Sequence, residues 1–452
     1  MTKRTTRCLS LLFLLWSSTS LMAQTDLPPK LYINGLGRTL IQSSELGGDP
    51  LASDTTTAKN LLDGEFLLDL NINAAPNEKT EVQSILRLRN EFGGFFGSGM
   101  SVEVRELFAR GVAGDIFRYH VGDMDLGLSP YTLFQADQEG MVNEAELFKG
   151  RRELIDYEQF FQRDGKRRMQ GGKFDLGLSA GSVFPEITLT GFFTRNRGTD
   201  FFNLPSRFVG GGRVELINTR WGTLRGNYVN TYDALSIGGF SSGIRNAVIS
   251  GEADLDLWEN DALALGFVGE MGLSQLTEVD DMEVDTDSTM RVKSVDRGDT
   301  FAEGAFELAV KDLGLQVKLG FLDVGPDFFS IAAQSKRVDF DRSQTQYSRI
   351  GNERRARQTT IFDLNRDRAL YTFGLSDVLM AYDPRLSNVM PYGKATPNRR
   401  GLTFDANYGN DSSALELGLQ TALLSEIRGQ GTELLKSFTL VRLSGDFNIH
   451  HL

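Results

Sequence analysis

Cysteine, histidine, tryptophan and long apolar runs are all scarce in this 452-residue chain. There is one cysteine, with three histidines and three tryptophans. A lone Cys8 excludes an internal disulfide framework and a thiolate metal cluster. His120, His450 and His451 leave little for histidine-based catalysis. The last two are adjacent, so on a strand they point to opposite faces and cannot chelate one metal together. Basic residues are in deficit, 48 Lys and Arg against 60 Asp and Glu, for a formal net charge of −12. That balance excludes the basic footprint of a nucleic-acid binder.

The only sustained apolar run, Leu9 to Trp16, is too short to span a bilayer as a helix. It follows Lys3, Arg4 and Arg7 and precedes Ser20-Leu21-Met22-Ala23, the pattern of a secretory signal cleaved before Gln24. Residues 1–23 are read as that signal, a Sec-type export sequence. Its loss takes away Cys8 and three positive charges, which turns −12 into −15. With mean hydropathy −0.24 and no apolar segment of helix length after residue 23, a membrane location requires a closed β-barrel. Only helices and closed barrels satisfy every backbone group in lipid. The 48 glycines, 31 phenylalanines and 11 tyrosines suit twisted sheet with aromatic girdles.

What is abundant is alternation. Ala247, Ile249, Gly251, Ala253, Leu255 and Leu257 alternate with Val248, Ser250, Glu252, Asp254 and Asp256. After Glu259-Asn260-Asp261, Leu263, Leu265, Phe267, Gly269, Met271 and Leu273 alternate with Ala264, Gly266, Val268, Glu270 and Gly272. A period of two puts alternate side chains on opposite faces of a strand, and a short polar turn makes the pair a hairpin. Each strand has the ~9–11 residues of a bilayer crossing. The pattern recurs, and predicts strands at 30–42, 62–75, 80–92, 100–112, 115–126, 173–183, 186–197, 207–217, 221–232, 245–258, 262–274, 300–311, 315–322, 400–409, 413–425 and 433–447.

Alternate connections are tight, among them Pro76–Lys79, Ala113-Gly114, Phe184-Pro185, Asn218–Arg220, Glu259–Asp261, Asp312–Gly314 and Asn410–Ser412. The others are mostly long. This parity belongs to outer-membrane barrels, with short periplasmic turns and long extracellular loops. The expected fold is an all-β transmembrane antiparallel barrel of about 16 strands (16–18), occupying 24–452, with long outer loops at 127–172, 275–299 and 323–399. Strand 100–112 is irregular, because Glu106 and Arg110 fall in phase with Val102, Val104 and Phe108.

Three stretches carry a resemblance: Arg118–Asp123 running into Leu128-Ser129-Pro130-Tyr131-Thr132-Leu133, Asp323–Phe328, and Val389–Arg399. They resemble a porin-like family of large outer-membrane β-barrel proteins of the Bacteroidota. The resemblance covers scattered pieces from about residue 80 to 402. It implies a fold and a location, the outer membrane of a Gram-negative bacterium, and no substrate.

Candidate chemistry is sparse. Gly239–Gly243 matches G-x-S-x-G, a nucleophile motif only on a strand-to-helix elbow with a histidine near. Here it lies between two strands and reads as a glycine-rich loop. The acidic run Glu278–Asp287 lacks the spacing and glycine of a calcium loop. Arg349, Arg354, Arg355 and Arg357 could meet anionic lipid or solute. The lumen side remains. On the assigned phase Arg87, Arg89, Glu103, Arg105, Thr194, Asn196, Glu252, Asp254, Asp256, Glu303, Glu307 and Asp405 point inward, and charged linings set pore selectivity.

No catalytic residue, metal or cofactor is assigned. The expected partners are outer-membrane lipid, lipopolysaccharide and small polar solutes. The first expectation is a porin-like channel or binding barrel, with 127–172 folding inward as a constriction or plug. The alternatives are a non-transporting scaffold whose outer loops serve adhesion or a secretion partner, and an outer-membrane barrel enzyme.

Overall fold

The computed structural model describes residues 30–44, 61–91, 100–114, 116–134, 165–181, 183–199, 205–235, 242–284, 290–334, 392–409, 415–429 and 433–447. They form sixteen strands. In order these are β1 (Lys30–Ser44), β2 (Leu61–Asn77), β3 (Thr80–Glu91), β4 (Met100–Ala113), β5 (Phe117–Leu126), β6 (Arg167–Ala180), β7 (Phe184–Arg197) and β8 (Arg207–Asn218). Then follow β9 (Gly222–Asp233), β10 (Gly243–Glu259), β11 (Leu263–Val284), β12 (Met290–Val310), β13 (Leu315–Val324), β14 (Arg399–Tyr408), β15 (Leu415–Ser425) and β16 (Ser437–Phe447). All lie in one antiparallel sheet in sequence order, so each strand pairs with its chain neighbours. Among the described residues no helix is long and apolar enough to cross a membrane.

The alternation that identifies the strands also sorts their faces. On β10, Asn246, Val248 and Ser250 are buried while Ile249 between them is 49 % exposed. Opposite Ile249 in register stands Leu273, and Met271 two residues on is 68 % exposed. One face of the sheet is therefore a solvent-facing band of large apolar side chains, and the other is polar. Toward the long-connection end of the apolar face, Phe208 stacks on Phe193 at 5.4 Å and on Tyr232 at 5.8 Å. Near the turn end Trp258 is exposed.

Irregularities have local causes. On β4, Val104 pairs with Leu86 and Glu106 with Ile85, so Arg105 is the extra residue of a β-bulge. The bulge shifts the phase by one. Val102 and Val104 stay exposed on the apolar face, while Phe108 is buried beside Glu106 and Arg110 on the other. The same device makes Asn196 the extra residue of β7 and Leu257 that of β10, where Trp258 pairs with Leu265.

The tight turns sit close to where the composition places them. Asn260 closes one by accepting from the amides of Ala262 and Leu263 at 3.0 and 2.6 Å. Lys311–Leu313 closes another as a 3-10 turn ending on Gly314 at φ 60°. One turn is displaced. Phe184 already pairs with Ala180, so the chain has reversed before Phe184 and Pro185 lies within β7.

Two of the expected outer loops are shorter than supposed. Residues 167–172 belong to β6. Most of 275–299 is strand: β11 runs to Val284 and β12 starts at Met290. The acidic run misled because it has no apolar alternation. In register Asp280 stands opposite Lys293 and Glu283 opposite Arg291. The Arg349–Arg357 cluster, Ser241, the amphipathic stretch within 135–164, His450 and His451 lie outside the described residues.

The chain divides into two compact units, one built on strands up to Asp123 and one on those from Met124 onward.

Candidate functional site

In the first unit the polar face is laced by ion pairs. Arg87, 4 % exposed at its side chain, grips Asp69 through Nε and Nη2 at 2.7 and 2.6 Å. Glu103 stands opposite Arg87 in the β3–β4 register. Arg110 meets Glu81 at 2.7 Å and lies 5.3 Å from the Phe108 ring. That ring stacks on His120 at 4.8 Å, and His120 Nε2 bonds the Asp123 carbonyl at 2.9 Å. His120 is thereby occupied. Arg89 is half-buried on the same face.

In the second unit, β8, β9 and β10 carry a second lattice. Arg213 Nη2 donates to Glu252 at 2.8 Å and its Nε to Asn227 at 2.7 Å. Arg225 bonds Glu215 at 2.6 Å and approaches Glu252 and Asp254 at 3.8 and 3.9 Å. Asp256 continues the row, exposed. Thr194 is fully buried, its hydroxyl donating to the Val209 carbonyl at 3.1 Å.

Toward the long-connection end, this polar face is covered. Three segments that follow or precede strands pack onto it: 127–134 after β5, 325–334 after β13 and 392–398 before β14. Each is closed locally by turns. In the first, Leu128 N donates to the Leu133 carbonyl at 2.8 Å around Pro130-Tyr131. In the second, Phe328 N reaches the Gly325 carbonyl and Ala333 N that of Ser330. In the third, Thr396 N reaches the Gly393 carbonyl at 3.1 Å. The segments also bond one another, through Phe134 N to the Ala332 carbonyl and Asn398 N to the Gly325 carbonyl, both at 3.1 Å.

Strand side chains anchor them. Asn246 on β10 accepts from Ile331 N at 2.9 Å and donates to the Phe329 carbonyl at 2.9 Å. Ser274 on β11 accepts from Phe329 N at 2.9 Å. Ser129 donates to Glu270 on β11 at 2.5 Å. Tyr131 donates to Glu303 on β12 at 2.6 Å, and Lys394 bonds the other oxygen of the same carboxylate. A Cβ at Gly325 would strike the Asp299 carboxylate, which would have to move.

The interior of this septum is apolar. Tyr131 stacks on Phe301 at 3.9 Å, and Phe328 packs edge-on to Phe301 at 5.0 Å. Tyr131, Leu133 and Phe328 are wholly buried, with Val248, Val324 and Leu424 around them. Burial, and then the Glu303 carboxylate, push the Tyr131 phenol well above its ordinary range. It is a permanent donor. Such buried networks are rigid when every member is satisfied.

The third segment is clamped at its end. Asn398 has φ 58°, a left-handed backbone that asparagine tolerates better than most residues. Its side-chain oxygen accepts from Ile427 N and Arg428 N at 3.0 and 2.8 Å, and its amide donates to the Arg428 carbonyl at 2.8 Å. Arg428 in turn forks onto Asp327 at 2.8 and 2.9 Å. That guanidinium holds the Asp327 carboxyl below the usual carboxylate range.

Several of these groups were missed in the sequence. Arg213 and Arg225 lie on predicted strands but were not singled out; Lys394 and the septum segments show no period, and what marked the segments was their resemblance and, for 127–134, the expected inward fold of 127–172. All three resembling stretches, expected on outer connections, contribute to this one septum.

Neither a family model nor a curated protein matches the chain. Among solved structures, it is similar to Pseudomonas aeruginosa OccK5 at 10 % identity, covering 91 % of this chain and 84 % of that one, with TM-score 0.41. It is also similar to the outer membrane channel DcaP of Acinetobacter baumannii at 10 % identity, 93 % and 97 % coverage and TM-score 0.31. Salmonella typhi OmpF in complex with daunomycin gives 11 % identity, 87 % and 89 % coverage and TM-score 0.30.

Proposed function

We propose that the chain is a porin-like outer-membrane β-barrel that passes or binds small polar solutes, with the septum narrowing its lumen. The observation that carries this reading is the two-faced sheet. Met271, Leu402, Val441 and Leu443 are 68, 58, 61 and 74 % exposed on the apolar side. On this reading Arg87, Arg89, Glu103, Arg105, Glu252, Asp254, Asp256, Glu303 and Glu307 belong to the other side. In water an apolar band of this extent is a liability. In lipid it is the outer surface of a barrel, and the charges must then line the lumen. A barrel of sixteen strands encloses an aqueous channel. The outer membrane of a Gram-negative bacterium, reached by Sec export, is the location this implies. Lipid and lipopolysaccharide are the surrounding partners, and a Bacteroidota origin fits the resembling motifs.

The test is ion conductance of the folded protein in a planar bilayer, beside a variant lacking 137–163. Steady conductance in the intact protein supports the channel. Conductance only after deletion makes that loop a plug. Silence in both, from a heat-resistant folded barrel, overturns the channel and favours a scaffold that works through its outer loops.

A further inference from the structure

Between the septum and the turns, the polar face of β12 to β16 holds a recess of about 520 Å³. That is the size of a small-solute pocket. Two register rows build it. In the first, Glu307 stands opposite Lys318, Lys318 opposite Asp405, Asp405 opposite Gln420, and Gln420 opposite Arg442. In the second, Gln316 stands opposite Asn407, then comes Gly418, then Ser444. Gly418 supplies the depth, since a Cβ there would strike the Ser444 hydroxyl.

The first row is neutral in sum and ordered in sign. Lys318 bonds Glu307 at 2.6 Å and, like Lys394, also acts on Asp405. Beyond it a carboxylate and a guanidinium are held apart by one neutral amide. Arg442 gives a single N–H to Gln420 at 2.8 Å, which leaves most of its fork to the recess. The second row adds two amides and a hydroxyl, both donors and acceptors. Among the described residues that line the recess there is no aromatic ring.

Building on the channel reading, we propose that this recess binds small zwitterions, with the solute carboxylate on Arg442 and its ammonium toward Asp405. A mono-anion or mono-cation satisfies one end and leaves the other charge without its partner. The neutral second row holds the solute's middle by hydrogen bonds.

Three probes of three carbons each separate the terms: β-alanine, propionate and propylamine. Binding to the detergent-folded protein is followed by ligand-observed NMR, and conductance is recorded on the same preparation. β-Alanine is expected to bind about tenfold more tightly than either relative, the scale of one charge-assisted hydrogen bond. Arg442→Gln should erase its advantage over propylamine, and Asp405→Asn its advantage over propionate, with folding checked by heat-modified gel mobility. Equal binding of the three probes, or a preference unmoved in both variants, overturns the zwitterion site while conductance leaves the channel standing. Absent conductance with the preference intact sinks the channel and keeps the site.

Discussion

Tyr131 and Glu303 lie 172 residues apart in the chain and share a 2.6 Å hydrogen bond. The phenol belongs to a segment leaving β5 and the carboxylate to the middle of β12. That contact, with Lys394 on the other carboxylate oxygen, ties the first and third segments of the septum to one strand residue.

Tyr131→Phe keeps the ring on Phe301 and removes only the hydroxyl. The loss should be about 1.5–3 kcal/mol, as for a hydrogen bond to a charged group. Urea unfolding of the barrel in lipid measures it, and single-channel traces should become noisier as the septum loosens. Unchanged traces and stability would show the bond to be incidental.

Asn246 satisfies two backbone groups of the second segment and donates to the Gln275 carbonyl at 3.2 Å. Asn246→Leu leaves those groups buried without partners, at about 1–3 kcal/mol each. Hydrogen exchange should rise at Ile331, whose amide loses its acceptor, while the amides of β8 and β9 stay protected. Uniform protection in the variant would refute the anchor.

Asp327 is depressed by Arg428, so its tie is fully present above the ordinary carboxylate pKa of ~3.9 and is lost as pH falls through the depressed value. Limited proteolysis of 325–334 should therefore increase in acid. In Asp327→Asn the charge pairing is absent at every pH, and that acid step should vanish. A step that persists assigns it to another group.

Asn398 combines a left-handed backbone with three side-chain bonds. Asn398→Gly and Asn398→Ala lose the same bonds, but only alanine also bears the left-handed strain of about 1–2 kcal/mol. Thermal midpoints should rank asparagine above glycine and glycine above alanine.

Met271 tests the membrane directly. Met271→Arg should cost about 2–4 kcal/mol in a bilayer if the residue sits near mid-plane. The same change on a water-facing sheet would cost almost nothing. Folding titrations in lipid vesicles distinguish the two.

All sixteen strands were legible in the sequence, because period two is strong wherever one face meets apolar surroundings. A bulge inserted one residue and exchanged the faces at Arg105, where the irregularity of 100–112 betrayed it, and at Asn196 and Leu257, where the alternation was read straight through. The far ends of β11 and β12 were illegible because their sequence carries no apolar alternation. The septum left no periodic signal at all. Segments such as Ser129-Pro130-Tyr131-Thr132 are held by turns and by partners far along the chain, and neither writes a repeat. Alternation gives an expected face for each charge but not its partner, since Lys318 opposite Glu307 depends on register.

That register carries a rule for how the chain can change. Glu307, Lys318, Asp405, Gln420 and Arg442 share one row across five strands. Deleting one residue from β13 would slide its half past that row and turn Lys318 onto the apolar face. Deleting two would restore the facing and merely move the row along the wall. Lineages descending from this chain should gain and lose strand residues in pairs, or singly only where a bulge absorbs the odd one.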